Sequence, residues 1–213
     1  MSRFTNDAVT IEPAKGYATF EQRSDTEAKA LPIIRDYINS LEATVALEDA
    51  DVETQKRDDI DFIWTRSHKA RTERLTLEVK VDTQIHETGN FAFETISNEL
   101  AATVGCFMRS NADYFYYYAS ETSDLWIFDL KVVRSWFRAE MRKNAEQFTA
   151  FRTFTKKSDG GISVARGYLV PKKRLENYLG NKLRYRNIKP KPDVEAMIAE
   201  VFDYTLYDDS PFE

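Results

Sequence analysis

Leu75-Thr76-Leu77-Glu78-Val79-Lys80-Val81 is the stretch on which the reading of the fold turns. Apolar and polar residues alternate along it, as in a half-buried strand. Leu75, Leu77, Val79 and Val81 then face a core, and Glu78 and Lys80 share the opposite face one pleat apart. Upstream, Asp59-Ile60-Asp61-Phe62-Ile63-Trp64 alternates in the same way, with sixteen residues between Asp61 and Glu78. A carboxylate and an ammonium side by side on a rigid strand, near an aspartate on the strand before, suit metal-assisted phosphodiester hydrolysis. Mg2+ takes hard oxygen ligands, commonly one or two carboxylates completed by water and substrate phosphate. Asp61 and Glu78 are the candidate ligands, with the carbonyl of Val79 between Glu78 and Lys80 as a third. Lys80 is placed to orient the attacking water or to offset charge that develops on phosphate. A Glu-x-Lys pair is also what a solvent-facing strand carries as a plain surface ion pair.

Around this segment, the sequence predicts a mixed α/β (α+β) fold with a mixed central sheet flanked by helices, in one domain. Met1 to about Tyr17 reads as an irregular lead-in. Ser24-Asp25-Thr26-Glu27 fits a capping box that starts a helix carrying Ala28, Leu31, Ile34, Ile38 and Leu41, which Pro32 should kink or split. Glu42 to Glu48 is a first strand candidate. Asp82 to Asn98 reads as a loop around Gly89-Asn90, and Glu99 to Phe107 as a modest helix. Asp113 to Ala119 and Leu125 to Phe128 are strands. Lys131 to Phe148 is the clearest amphipathic helix, with Val132, Val133, Trp136, Phe137, Met141 and Phe148 near one stripe. Ile162 to Val170 is a strand after Asp159-Gly160-Gly161. Lys172 to Tyr178 and Asp193 to Phe202 are short helices.

The chain has 213 residues, 42% apolar and 31% charged, an ordinary globular composition. No stretch approaches the roughly 18 apolar residues of a membrane span, and the first residues have no apolar signal region. A cytoplasmic protein is the expectation. Cys106 is the single cysteine, which excludes an intramolecular disulfide. Net charge is -5, but it is unevenly spread. From Lys156 to Lys191 eleven Lys and Arg stand against two acids, and from Pro192 to Glu213 there are seven acids and no Lys or Arg. A basic C-terminal extension of this kind fits either a polyanion-binding face or a solvated surface; Lys172, Lys173, Arg174, Lys182, Arg184 and Arg186 are the candidate DNA contacts. His68 and His86 lack the spacing of a zinc site. The run Tyr114, Tyr116, Tyr117 and Tyr118 fits either a platform for unpaired bases or strand residues packed in a core.

The arrangement Asp-x16-Glu-x-Lys resembles the active site of the PD-(D/E)XK nuclease superfamily. The likeness continues through Glu78-Val79-Lys80-Val81-Asp82, Thr88-Gly89-Asn90, Glu94, Ala112-Asp113-Tyr114 and Trp126-Ile127-Phe128, similar to a group of small phage and bacterial nucleases of that superfamily. It covers roughly Asp58 to Phe137. The resemblance implies a restriction-endonuclease-like core, Mg2+ as cofactor (with Mn2+ as substitute), DNA as partner, and a homodimer where both strands are cut. It implies Asp61 as the first metal aspartate, with Asp59 as the alternative, and Glu78 and Lys80 as catalytic. A glutamate on the first helix often stands near the metal in relatives. Glu27 occupies that place or serves only as the helix cap, and Glu21 is a further alternative. The proline of the superfamily's name is missing, Asp58 or Ile60 standing there. A different class of function, a nuclease-fold module without catalysis that binds DNA or assembles complexes, fits the same residues. An RNA-directed nuclease does too.

Overall fold

A computed structural model of the chain describes residues 9–10, 20–156 and 160–190. In chain order the elements are β1 (Val9–Thr10), α1 (Phe20–Asn39), β2 (Thr44–Asp49), α2 (Val52–Asp58), β3 (Phe62–His68), β4 (Arg71–Asp82), α3 (Ile85–Thr88), β5 (Asn90–Asn98), β6 (Thr103–Val104), α4 (Cys106–Arg109), β7 (Tyr114–Ala119), β8 (Asp124–Asp129), α5 (Leu130–Lys143), β9 (Thr149–Lys156), β10 (Ile162–Pro171), α6 (Lys172–Leu179) and β11 (Arg184–Asn187). The expected helix Asp193 to Phe202, the acidic tail, Lys157, Asp159, Lys191, the Glu21 side chain and most of the lead-in lie outside the described residues.

The fold is mixed α/β. One sheet has six strands in the order β11-β8-β7-β4-β3-β2, and the other five in the order β1-β9-β10-β5-β6. In the six-stranded sheet β4 and β7 run parallel, whereas β2/β3, β3/β4, β7/β8 and β8/β11 are antiparallel. The parallel pair sits at the centre, where both faces are covered, as parallel strands require. On one face α1 packs Ala30, Ile34 and Ile38 against Phe62, Trp64, Leu77, Val79, Tyr116 and Tyr118. On the other, Phe115, Tyr117, Trp126 and Phe128 meet Phe91 and Phe93 of β5, Phe107 of α4, and Val133, Trp136 and Phe137 of α5. Aromatic stacking organises this second core: the Phe93 and Phe107 ring centroids are 3.9 Å apart and nearly parallel.

The strand β4 is therefore not half-buried. Leu77, Glu78 and Val79 are all buried, and the face expected to meet solvent is roofed by the second sheet and α4. Leu75 and Val81 face the α1 side as expected, though only partly buried. The tyrosine run resolves into core: Tyr116, Tyr117 and Tyr118 are buried, split between the two faces by the two-residue period of β7.

Several expectations are corrected. The helix α1 starts at Phe20, so Ser24 to Glu27 lies inside it and is not a cap. It runs unbroken through Pro32, which is exposed, as is Ala28 one turn earlier, so Pro32 does not split the helix. Asp59 and Asp61 precede β3 rather than lie on it: Asp59 caps α2 in the left-handed region (φ 47). Asn90 to Asn98 is a nine-residue strand, not loop. Glu99 to Phe107 is a turn with β6 and the start of α4, not a helix. The basic segment is built into both sheets, since β10 pairs with β9 and β5 and β11 pairs with β8. At the β10/β5 pairing, Gly167 lies beside a bulge, where any Cβ would come within 2.2 Å of the Phe93 carbonyl oxygen.

Candidate active site

Regular pairing between β3 and β4 ends at Phe62 opposite Leu77. One residue earlier the backbone still follows the ladder, since Asp61 N donates to Leu77 O at 2.9 Å. The next N–H along β4 has no strand partner. It is taken by a side chain instead: Val79 N donates to Asp61 Oδ2 at 2.7 Å. This bond pins the Asp61 carboxylate beside Glu78, the intervening residue of β4.

Glu78 is 8% exposed, and it is one of two buried polar side chains among the described residues. Burial pushes its carboxyl well above the usual carboxylate range, and the charges of Asp61, Asp59 and Glu27 push it the same way. The Lys80 ammonium opposes them. Asp61 is raised to about 6, again first by burial. The hydrogen bond from Val79 and a side-chain hydrogen bond with Glu78 pull it back, while Glu27 and Asp59 add to the rise. Two carboxyls in contact in a poorly hydrated site do not both ionise freely.

The rest of the site is built from three elements. Asp59 is held in a forked ion pair, with Arg109 Nε donating to Oδ2 at 2.6 Å and Nη2 to Oδ1. Ser110 Oγ donates to the Asp59 carbonyl at 2.7 Å, fixing the end of α4 against the α2–β3 corner. Burial pushes the thiol of Cys106, at the start of α4, up and keeps it protonated, and the charges of Lys80, Glu94, Glu78 and Asp59 reach it. Further along the same face of β4, the Tyr117 hydroxyl donates to Asp82 and accepts from Ala92 N at 2.9 Å, which ties β5 to the sheet. Asp82 Oδ1 also accepts from Gln84 N at 2.6 Å and Ile85 N at 2.9 Å, just ahead of α3.

Of the residues named from sequence, Asp61, Glu78, Val79 and Lys80 thus come together, and Glu27, exposed on α1, lies within electrostatic reach of both carboxyls. Asp59 is near, but its carboxylate is occupied by Arg109. The donor set is hard oxygen, in surroundings whose negative charge a cation would relieve. That chemistry fits Mg2+, for which two carboxylates suffice. Among the described residues no group of three or more His, Cys, Asp and Glu side chains is gathered tightly enough to hold a metal ion unaided. Arg109, Cys106 and the Tyr117–Asp82 bond carry no sequence signal, because their relation to the site exists only once α4 and β5 cross over β4.

The six cations of the basic segment are not gathered on one face. Lys172 Nζ lies 5.3 Å from the Trp126 ring, on the second-sheet side. The Arg184 guanidinium lies 5.2 Å from Tyr114, on the α1 side. Arg174 is paired with Glu140 and stacked 4.7 Å from Phe148. Lys173, Lys182 and Arg186 are exposed. Strand β11 lies three strands from β4, about 14 Å across the sheet. Among the described residues no helix is long and apolar enough to cross a membrane. Compared with known proteins, the chain matches no family model, no curated protein and no solved structure.

Proposed function

We propose that this chain is a metal-dependent deoxyribonuclease of the restriction-endonuclease-like type. The observation that carries the reading is the buried Asp61–Glu78 carboxyl pair, with Lys80 two residues on along the same face of β4. Burying two acids in contact costs stability unless something compensates, and strongly perturbed carboxyls are a mark of functional sites. A mixed sheet with helices on its faces, preceded by α1, is in keeping with the architecture that such a nuclease requires.

Asp61, Glu78 and the Val79 carbonyl would hold Mg2+, with Glu27 as an outer partner. Bound there, the ion supplies Lewis acidity toward phosphate and lowers the pKa of water. The chain's own residues do the rest. Val79 N and the Glu78 contact orient Asp61. The Lys80 ammonium offsets charge that builds on the phosphate oxygens. Arg109 holds Asp59 away from the ligand set, which favours Asp61 as the metal aspartate.

A non-catalytic nuclease-fold module is the second reading, favoured by the lack of a three-ligand cluster among the described residues. Incubation of supercoiled, linear duplex and single-stranded DNA with Mg2+ or Mn2+ separates the two. Under the nuclease reading wild type cuts at least one substrate and EDTA abolishes it. Lys80→Ala then loses roughly 100-fold or more in rate, the usual scale for removing one preorganised charge-stabilising group. Equal inactivity of wild type and Lys80→Ala on all three substrates sinks the enzyme reading.

A further inference from the structure

Helix α5 presents a second basic surface, separate from the segment after Lys156. Its apolar stripe, Leu130, Val133, Trp136 and Phe137, is buried in the core. On the opposite side Lys131, Arg134, Ser135, Arg138 and Arg142 line an open cleft of about 380 Å³. With a rise of about 1.5 Å per residue, the four cations extend over about 16 Å, and the arginines follow one another at about 6 Å. Lys131 has Asp113 at 3.7 Å. Among the described residues Arg138 and Arg142 have no acidic partner at ion-pair distance, and both are exposed. Glu140, the acid between them, turns away to Arg174.

We propose that this face of α5 is the track along which the protein holds the phosphate backbone of DNA. Three observations carry it. First, arginines at four-residue intervals repel one another along a helix, and the Arg134 guanidinium is held below its usual proton affinity by burial and by Arg138. A polyanion relieves that repulsion. Second, the cations are three guanidiniums and one ammonium with a serine among them and no exposed large apolar side chain. That composition suits phosphate oxygens, whereas insertion into a lipid surface needs an apolar face, and the apolar face of α5 is already buried. Third, the strip is joined rigidly to the carboxylate site. Arg134 Nε donates to Phe107 O at 2.9 Å and Nη2 to Ser110 O at 2.7 Å. These carbonyls belong to α4 and its end, and the same short helix carries Arg109, which grips Asp59, and Cys106, which lies near Lys80. A strand laid along α5 therefore passes the rim of the site that holds Asp61 and Glu78. The inference deepens the nuclease reading and rests on it for the identity of the polyanion. It shifts the backbone contacts from α6 and β11 to α5.

The test measures binding of the full chain to a fluorescent DNA duplex in EDTA, where no hydrolysis intervenes, across a series of salt concentrations. The slope of log K against log salt is about -0.9 per phosphate contact. Arg138→Ala/Arg142→Ala, checked for unchanged circular dichroism and melting, is expected to weaken binding at least tenfold at low salt and to shallow the slope by up to about 2. Arg138→Lys/Arg142→Lys keeps most of the slope. Lys182→Ala/Arg186→Ala changes neither quantity. An unchanged affinity and slope in the alanine pair, a loss confined to the Lys182/Arg186 pair, or binding to anionic phosphatidylserine vesicles but not to DNA each overturns the proposal. Loss of slope in the α5 variant, together with no Mg2+-dependent cleavage by wild type, leaves the track standing and removes the nuclease reading instead.

Discussion

Asp61 and Glu78 set the energetic character of the site, because both are held in a state that the unfolded chain does not favour. An unfolded aspartate titrates near 3.9, whereas Asp61 is raised to about 6. The native state thus binds the proton more tightly, so stability falls as pH rises between about 4 and 6. A shift of about two units corresponds to about 3 kcal/mol lost across that window in metal-free buffer. Glu78 is raised in the same direction, so its ionisation works against the fold as well. Asp61→Asn keeps an oxygen that accepts from Val79 N and removes the titration, and urea unfolding of this variant should show a flatter pH profile from 4 to 6. Glu78→Gln should be more stable than wild type at pH 7 without metal, and inactive. If either variant were less stable than wild type at pH 7, the carboxyls would be contributing favourable interactions rather than storing unfavourable charge.

Among the elements, legibility followed how much of the burial pattern is local. The strand β4 was readable because its alternation marks the α1 face, and α5 because its stripe repeats at helical spacing. The buried state of Glu78 was not readable, since the roof over it comes from β5 and α4, which cross back over β4 from later in the chain. The strand β5 alternates Phe91 and Phe93 with Ala92 and Glu94, but the turn signal of Thr88-Gly89-Asn90 at its start masks that alternation. The strand β11, Arg184-Tyr185-Arg186-Asn187, is polar throughout because it lies on an edge, so no apolar period marks it. Glu27 lies on the first helix, but α1 begins a turn before Ser24, so the Ser24 to Glu27 pattern does not mark its start. The pairing of β10 with its neighbours in the five-stranded sheet depends on one close backbone approach. A Cβ on Gly167 would stand 2.2 Å from Phe93 O and 2.7 Å from the Phe151 ring, so Gly167→Ala must displace β5 or β9. Overpacking of this kind costs about 1–3 kcal/mol, or more where backbone is the obstacle. Thermal unfolding should show a drop of several degrees, and near-UV dichroism should change because the adjoining core is aromatic. An unchanged melting temperature would mean that the β10 bulge relaxes freely.

At the scale of the molecule, the site gathers more acids than bases, Asp61, Glu78, Asp59 and Glu27 against Lys80 and Arg109, and that imbalance makes divalent-ion binding measurable without any substrate. A ligand that binds only the folded state stabilises it by RT ln(1 + [L]/Kd), about 2.7 kcal/mol at a concentration one hundred times Kd. For a chain of 213 residues each kcal/mol shifts the melting temperature by roughly 2–4 °C, so saturating Mg2+ or Mn2+ should raise it by about 5–10 °C. The shift must depend on pH in a defined direction. A bound ion would compete with protons for Asp61 and Glu78, so stabilisation should be largest above pH 7 and shrink below about pH 6, where Asp61 takes up its proton. Glu78→Gln and Asp61→Asn should each abolish most of it, whereas Asp59→Asn should lose Arg109 pairing but keep much of the metal response. Arg138→Ala/Arg142→Ala should keep all of it, because these side chains line the α5 cleft and not the Asp61–Glu78 pair. Differential scanning calorimetry with Mg2+, Mn2+ and a matched ionic-strength control in NaCl measures all five proteins on one scale. A wild-type shift no larger in Mg2+ than in NaCl would assign the buried acids to the non-catalytic module, with the proton as their sole counter-ion.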